Sequence, residues 1–273
     1  MNVLFWNLKQ NNVCFDVICH IAREESIDVM AFAEFPSGAN EVAALVTKLQ
    51  SVKPSFMHHP HNQNSRVEIF FDSSSYTVDP IKNDDRLSFK MIKKLTGLTE
   101  INFVFCHLQS KTHKDEVDLT IEAVRNMSII RDFEKNNGEM TVICGDFNLH
   151  PFESGMLADL GFNALMDSSI VQNRKTRVVS GNTQTYFYNP MWSLLGDIHL
   201  NDTPGTFYAN GPNVSYLWHM FDQVIMRPDV IPFFVKKDLR ILAKGASYNL
   251  LSSGGVISTK YSDHLPIKFN LSI

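Results

Sequence analysis

The first 170 residues alternate between short apolar runs and stretches whose apolar residues recur at helical spacing. Apolar runs predict buried strands at residues 3–6, 27–32, 67–71, 89–92, 101–106 and 140–144. Helical spacing predicts helices at residues 15–25, 41–49 and 115–136. The inner face of the third helix is predicted to consist of Val117, Ile121, Val124, Ser128 and Ile129. We expect a short helix and a connection in residues 151–170.

The remainder of the chain carries fewer helical signals. Residues 172–219 mix polar and aromatic residues with Gly, Asn and Pro, so we expect short strands and a substrate-facing loop there. Apolar runs predict further strands at residues 221–226, 231–235 and 265–271. Roughly eight to ten strands and three or four helices indicate an α/β protein with one large mixed sheet or two sheets. No linker-like segment divides residues 1–273, which we interpret as one domain.

Composition and charge narrow the classes of function. The chain has 273 residues, of which 44% are hydrophobic and 20% charged, as in ordinary soluble proteins. The net charge of −4 argues against tight, non-specific binding to duplex nucleic acid. It does not argue against a nucleic-acid enzyme, because carboxylates that hold a cation contribute negative charge. With no signal-peptide pattern and no membrane-spanning apolar run, we expect a cytoplasmic protein.

Three other features allow more than one interpretation. The cysteines lack the paired short spacings of a zinc site, so we interpret them as small packed thiols. His58-His59-Pro60-His61 resembles a metal cluster, but we interpret it as a solvated loop. The aromatic residues at 186–188 and 208–218 could stack nucleobases or pack a long loop, and the sequence leaves both open.

Polar residues suited to catalysis lie beside the ends of several predicted strands. Ends of neighbouring buried strands lie close together in space, so such residues can build one site from distant parts of the chain. Each residue alone has an ordinary explanation as a turn, cap or surface residue. The residues with this placement are Asn7, Glu34, His107, Asp146, Asn148, Asp222, Asp263 and His264.

The order of these residues resembles the endonuclease/exonuclease/phosphatase superfamily, which includes deoxyribonuclease I-like nucleases. The resemblance covers essentially the whole chain, and its two most specific motifs lie far apart in sequence. It implies a four-layer α/β/β/α sandwich of two packed mixed β-sheets with outer helices, and an active site at one edge. The matching segments are Glu34, His107-Leu108, Gly145-Asp146-Phe147-Asn148, Asp222 and Ser262-Asp263-His264.

The resemblance also implies how the site handles metal and water. Glu34 would hold a divalent cation with Asn7 close by, and Asp263 would help to bind it. Oxygen ligands and a phosphate substrate favour Mg²⁺, with Mn²⁺ as an alternative. Asp146 would orient or deprotonate the attacking water, and Asn148 would hydrogen-bond a phosphate oxygen.

The remaining roles concern the scissile phosphate and the leaving group. Asp222 would pair with His264, which could then donate to a non-bridging oxygen. His107 would stabilise or protonate the leaving group, whereas abasic-site enzymes carry a Tyr at the matching position. Two residues are expected to bind substrate phosphates, and Glu68 is a weaker candidate for orienting His107. The substrate-binding candidates are Arg86 and Lys111.

Three functions follow from these residues, in decreasing order of preference. The first is a metal-dependent nuclease that cleaves DNA or RNA, or a nucleotide-like phosphodiester, by in-line attack of an activated water. The second is a phosphatase of phosphoinositides or other small phosphate esters. Such an enzyme is expected to have a cluster of basic residues facing its site, whereas the sequence has only two lysine doublets, Lys93-Lys94 and Lys236-Lys237. The third is a catalytically inactive binding module, which the presence of Asp146 and His264 disfavours. The oligomeric state is left open.

Overall fold

Two large mixed β-sheets dominate the computed structural model, which describes residues 1–38, 40–60, 65–197, 203–210 and 216–273. Their strands and those of two small sheets are, in chain order, β1 (Asn2–Asn7), β2 (Val29–Ala33), β3 (Phe56–His59), β4 (Val67–Asp72), β5 (Tyr76–Asp84), β6 (Leu87–Lys94), β7 (Glu100–His107), β8 (Thr141–Asp146), β9 (Ala164–Leu165), β10 (Thr176–Val179), β11 (Asn182–Thr185), β12 (Phe187–Tyr188), β13 (Phe207–Tyr208), β14 (Trp218–His219), β15 (Asp222–Met226), β16 (Arg240–Ile241) and β17 (Ile267–Asn270).

The strands of the first sheet lie in the order β16-β17-β1-β2-β4-β3, and those of the second in the order β5-β6-β7-β8-β15-β12-β9. Parallel pairs occur at β1–β2, β7–β8 and β9–β12. The helices are α1 (Cys14–Glu24), α2 (Glu41–Val52), α3 (Glu116–Asn137), α4 (Ser154–Leu157) and α5 (Ser168–Arg174). Short 3₁₀ helices span Lys111–His113, Pro190–Leu194, Pro228–Phe233 and Lys236–Asp238.

Both faces of the second sheet are buried, and successive side chains of its central strands point to opposite faces. In β7, Phe103 and Phe105 belong to the core shared with the first sheet, whereas Val104 and Cys106 pack with α3. This alternation follows from the two-residue period of a strand. Helices α1 and α2 contribute apolar residues to the core of the first sheet. The result is the predicted four-layer α/β/β/α sandwich. Among the described residues, no helix has an apolar stretch long enough to span a bilayer.

The buried face of α3 differs from the predicted one. Val117 and Ile121 are 66% and 61% exposed, while Leu119, Ala123 and Met127 are buried against the second sheet. Both sets recur at helical spacing, so periodicity alone does not separate them. The stripe that begins at Leu119 continues along the helix to Phe133, which gives the sheet a longer apolar contact.

Two further predictions were wrong. The predicted strand at residues 231–235 overlaps the 3₁₀ helix Pro228–Phe233, because its two prolines fix φ and remove backbone donors. The histidines expected in a solvated loop instead lie in β3, where His59 is buried and His58 is half-buried. His61 lies outside the described residues.

Candidate active site

The ends of five strands bring the candidate residues together at one edge of the sandwich. In the second sheet, Asp146 on β8 is in register with His107 on β7 and with Asp222 on β15. In the first sheet, Asn7 at the end of β1 is in register with Ala33, which directly precedes Glu34. Both sheets therefore contribute side chains to the same small region.

The Asp146 carboxylate is the centre of this group. Its Oδ2 atom lies 3.1 Å from Nδ2 of Asn7, and 3.9 Å from Nε2 of both His107 and His264. Glu34 borders the same space, with its Oε1 3.3 Å from Nδ2 of Asn7 and 3.5 Å from Nε2 of His107. The five side chains thus enclose one polar space in which a phosphoryl group could lie.

Unusual backbone conformations occur at two candidate residues, Glu34 and Asn148. Glu34 and Asn148 adopt left-handed conformations, with φ of 44° and 52°, which residues other than glycine rarely occupy. The Asn148 amide N–H donates to Asp146 Oδ1 at 2.9 Å, and its side-chain Nδ2 donates to the Leu108 carbonyl at 3.1 Å. Backbone strain of this kind often marks functional positions, because surrounding contacts must maintain it.

Gly145 explains part of the GDFN motif. A Cβ atom at this position would lie 2.0 Å from the carbonyl oxygen of Cys106 and 2.7 Å from its Sγ. Only glycine therefore allows β8 to approach β7 this closely, and this approach brings Asp146 beside His107.

The motif Ser262-Asp263-His264 is held against the end of β1. The Ser262 hydroxyl donates to the Asn7 carbonyl at 2.7 Å and accepts the His264 N–H at 3.1 Å. The Trp6 indole donates to the His264 carbonyl at 2.8 Å. The imidazole of His264 is therefore positioned by three contacts before any substrate is considered, including a 2.8 Å contact between its Nδ1 and Asp222 Oδ2.

The two histidines that flank Asp146 are shifted in opposite directions. Burial alone would lower the pKa of His264, but the carboxylates of Asp222 and Asp146 outweigh it and raise that pKa to about 9. Burial lowers the pKa of His107, and the carboxylates of Asp146 and Glu34 compensate only in part. At neutral pH, His264 is therefore an imidazolium and His107 a neutral imidazole.

Four candidates lie around this group with partners of their own. The Asp263 carboxylate pairs with the Lys9 ammonium at 2.7 Å. Arg86 Nη1 donates to the backbone carbonyl of His107 at 3.2 Å. The other two candidates, Lys111 and Glu68, contact residues outside this group. The Lys111 ammonium donates to the Glu153 carboxylate, and the Glu68 carboxylate lies 2.7 Å from Nε2 of His58.

The donor set suits a hard divalent cation. Among the described residues, the Glu34 and Asp146 side chains contact amides and histidines rather than lysine or arginine. Asn7 Oδ1 accepts the Lys9 N–H at 3.1 Å, so the Asn7 NH₂ group faces both carboxylates. Asp146, Asp222 and His264 also have oxygen and nitrogen atoms that all lie within 4.8 Å of one another, but a protonated His264 paired with Asp222 has no lone pair to offer a metal. Carboxylate oxygens favour Mg²⁺ or Mn²⁺.

Two contacts at the site were not anticipated from the sequence. One is the Trp6 hydrogen bond to His264, for which adjacency to Asn7 was the only signal. The other is Thr206, whose Oγ1 accepts the Asp222 N–H at 3.1 Å, and no pattern in residues 172–219 pointed to it. The aromatic alternative is partly resolved, since Tyr186, Phe187 and Tyr188 are buried and serve packing.

Solved structures share this architecture over nearly the whole chain. An endonuclease/exonuclease/phosphatase family protein from Bacteroides thetaiotaomicron aligns with a TM-score of 0.59 and 15% identity, over 99% of this chain and 97% of that one. This chain has the endonuclease/exonuclease/phosphatase fold. D. rerio TDP2, complexed with a single-strand DNA product, has a TM-score of 0.57 at 15% identity, over 98% and 97% of the two chains.

A mannosyl-6-phosphatase from Bacteroides thetaiotaomicron also has this fold, with a TM-score of 0.58 and 15% identity over 100% of both chains. In sequence, no protein-family profile and no curated protein matches the chain. Structural likeness at this identity establishes the endonuclease/exonuclease/phosphatase fold, and the chemistry must be argued from the residues of the site.

Proposed function

We propose that this chain is a metal-dependent phosphodiester hydrolase that cleaves DNA or RNA. The observation that carries the proposal is geometric: the carboxylates of Glu34 and Asp146 share one space with the imidazoles of His107 and His264, whose Nε2 atoms both lie 3.9 Å from Asp146 Oδ2. Environments that push the pKa values of neighbouring groups apart are typical of acid–base sites. Acid–base chemistry without a metal would need only one carboxylate as the base. The second carboxylate in the same space, that of Glu34, is therefore interpreted as a ligand of a metal ion.

Each side chain has a task in the hydrolysis. Asp146, with one oxygen held by the Asn148 N–H, orients the attacking water and accepts its proton through Oδ2. The His264 imidazolium donates a hydrogen bond to a non-bridging phosphoryl oxygen, where negative charge develops. Asp222 maintains the charge and orientation of that imidazole. The neutral His107 donates an N–H hydrogen bond to the leaving oxygen and keeps its proton, and the leaving oxygen takes up a proton from solvent water.

Glu34 would hold the cation, and Asn7, whose Nδ2 lies 3.3 Å from Glu34 Oε1 and 3.1 Å from Asp146 Oδ2, would position both carboxylates. When bound, Mg²⁺ or Mn²⁺ supplies charge neutralisation for the phosphoryl oxygens. Asp263 is a further candidate ligand, although its ion pair with Lys9 would have to open first. Asn148 would hydrogen-bond a phosphoryl oxygen, and Arg86 and Lys111 remain proposed contacts to the phosphates of the substrate.

A path of aromatic rings beside the site favours a nucleic-acid substrate. The Phe207 ring lies 4.7 Å from that of His264 and is stacked at 5.4 Å on Phe221. Phe221 in turn lies 4.7 Å from His219, and Tyr216 beyond it is exposed. Phe221 is buried and supports its neighbours, whereas the exposed Tyr216 and the half-buried Phe207 can stack on unpaired bases of any sequence. D. rerio TDP2, which has the same fold, was solved with a single-strand DNA product, and this supports the proposal.

A phosphatase of small phosphate esters is the second candidate, because a mannosyl-6-phosphatase matches the fold as closely as D. rerio TDP2 does. One panel separates the two candidates. Purified protein is incubated with single-stranded DNA, RNA, duplex DNA, a sugar phosphate and a phosphoinositide, each with Mg²⁺, Mn²⁺ or EDTA. The proposal expects metal-dependent cleavage of a nucleic acid. Cleavage of a small ester alone would establish the second candidate, and turnover undiminished by EDTA would refute both.

A further inference from the structure

A polar cavity of about 460 Å³ adjoins the proposed active site on one side. Glu34 and His107 form the wall that it shares with the site, whereas Asp146 and His264 are not among its described lining residues. Under the proposed function, water attacks from the Asp146 side, and the leaving oxygen departs opposite to it, toward His107. The cavity is therefore placed to receive the leaving group of the substrate.

Arg66 is the one permanently charged cation among the described residues that line this cavity. Glu68, the other carboxylate in the lining besides Glu34, contacts His58 at 2.7 Å and interacts favourably with the buried ammonium of Lys90. Its negative charge is therefore compensated within the protein. Glu34 is assigned to the metal, so Arg66 determines what charge the far part of the cavity accepts.

The present partner of Arg66 is weakly held. Nε and Nη2 of Arg66 donate to Asp85 Oδ1 at 3.1 and 2.9 Å, but the two side chains are 42% and 67% exposed. Ion pairs with this degree of exposure contribute little to the free energy of folding. Arg66 can therefore exchange the Asp85 carboxylate for another anion at little cost in free energy. Asp85 also lies 3.7 Å from Nε of Arg86, and it would keep this partner if Arg66 turned toward a ligand.

We propose that Arg66 binds an anionic group on the leaving side of the substrate, such as the next phosphate of a nucleic-acid strand. A guanidinium can bind a phosphate through two parallel hydrogen bonds, which suits Arg66 better than a lysine would. The inference rests on the proposed function and specifies its substrate as one that is charged beyond the scissile ester. It assigns Arg66 to specificity rather than to the chemical step.

Three dinucleotides test this assignment. The first is TpT, the second carries a further phosphate at its 5′ end, and the third carries it at its 3′ end. One of the two added phosphates falls on the leaving side, and we expect it to raise kcat/KM by roughly 10–100-fold. Arg66→Gln should remove this advantage, mainly through KM, and leave hydrolysis of TpT unchanged. Arg23→Gln, at an exposed position on α1, is the matched control.

Two results would overturn the inference while leaving the proposed function intact. One is equal kcat/KM for all three dinucleotides, and the other is an unchanged phosphate advantage in Arg66→Gln. Binding of a labelled tetranucleotide to Asp146→Asn, with and without Arg66→Gln, gives an answer that needs no turnover. Equal affinity of these two proteins would also overturn the role of Arg66. Failure of the wild type to hydrolyse any ester would instead refute the proposed function.

Discussion

Replacing Gly145 by alanine tests whether the close approach of β7 and β8 builds the site. The added Cβ would lie 2.0 Å from the Cys106 carbonyl oxygen, whereas real Cβ atoms essentially never come within 3.0 Å of another heavy atom. One of the two strands must therefore move by about 1 Å. Because the atom in the way belongs to the backbone, no side-chain rotation can relieve the contact.

The magnitude follows from this displacement. Overpacking in a buried position costs about 1–3 kcal/mol, and the backbone clash places Gly145→Ala at the upper end of that range. For a chain of this size, Tm should fall by at least about 4 °C. A displacement of about 1 Å between His107 and Asp146 should lower kcat/KM by about 100-fold.

The assay pairs a thermal unfolding curve with metal-dependent hydrolysis of the substrate found in the panel. Gly254→Ala is the control, because its Cβ would meet only the Ser252 hydroxyl, at 3.8 Å, and should change neither quantity. If Gly145→Ala kept the wild-type Tm and kcat/KM, the argument that glycine sets the spacing of His107 and Asp146 would be refuted.

Three other substitutions probe the site and its support. Because carboxylates raise the pKa of His264 to about 9, activity should decline as pH rises through that value, and Asp222→Asn should move this decline to lower pH in the pH profile of kcat/KM. An unmoved profile would contradict the pairing. Ser262→Ala leaves a buried carbonyl without its donor, so urea unfolding should show a loss of about 1–3 kcal/mol and kinetics a fall in kcat. Arg227→Met leaves the buried Glu134 carboxylate without its cation and should cost about 3–5 kcal/mol in urea, whereas activity per folded molecule should stay at the wild-type value.

The sequence predicted those parts of the fold whose signal is local. Strands β7 and β8 consist mainly of apolar residues, and each ends in a polar residue, His107 or Asp146, that lies at the candidate site. A buried strand flanked by polar residues can be read without knowing its neighbours. This is why the placement of His107 and Asp146 at adjacent strand ends could be predicted.

Other parts depend on tertiary contacts that periodicity does not encode. Strand β5 was not predicted, because its buried residues alternate with polar ones and it contains Pro80. The buried face of α3 was misassigned, because two apolar stripes compete and only the sheet selects between them. The half-buried environment of His58 depends on Glu68, a residue on a neighbouring strand.

The candidate site likewise has some features that the sequence predicts and others that depend on tertiary contacts. Motifs identified Asp146, Asn148 and His264, but the opposite pKa shifts of the two histidines depend on distances that no spacing in the sequence reveals. The role inferred for Arg66 depends on a cavity formed by residues from several segments. Chemistry-bearing residue types are visible in a sequence, whereas their electrostatic environment requires the fold.

The proposed function requires Asp146 to activate water for hydrolysis of a phosphodiester. The most direct measurement compares single-turnover hydrolysis of a single-stranded oligonucleotide in Mg²⁺ by wild type, Asp146→Asn and Asp16→Asn, an exposed control on α1. Loss of a general base typically costs 10²–10⁴-fold, so the rate of Asp146→Asn should fall by about that factor with an unchanged Tm, and Asp16→Asn should match wild type. A rate for Asp146→Asn within threefold of wild type would show that Asp146 is not the general base.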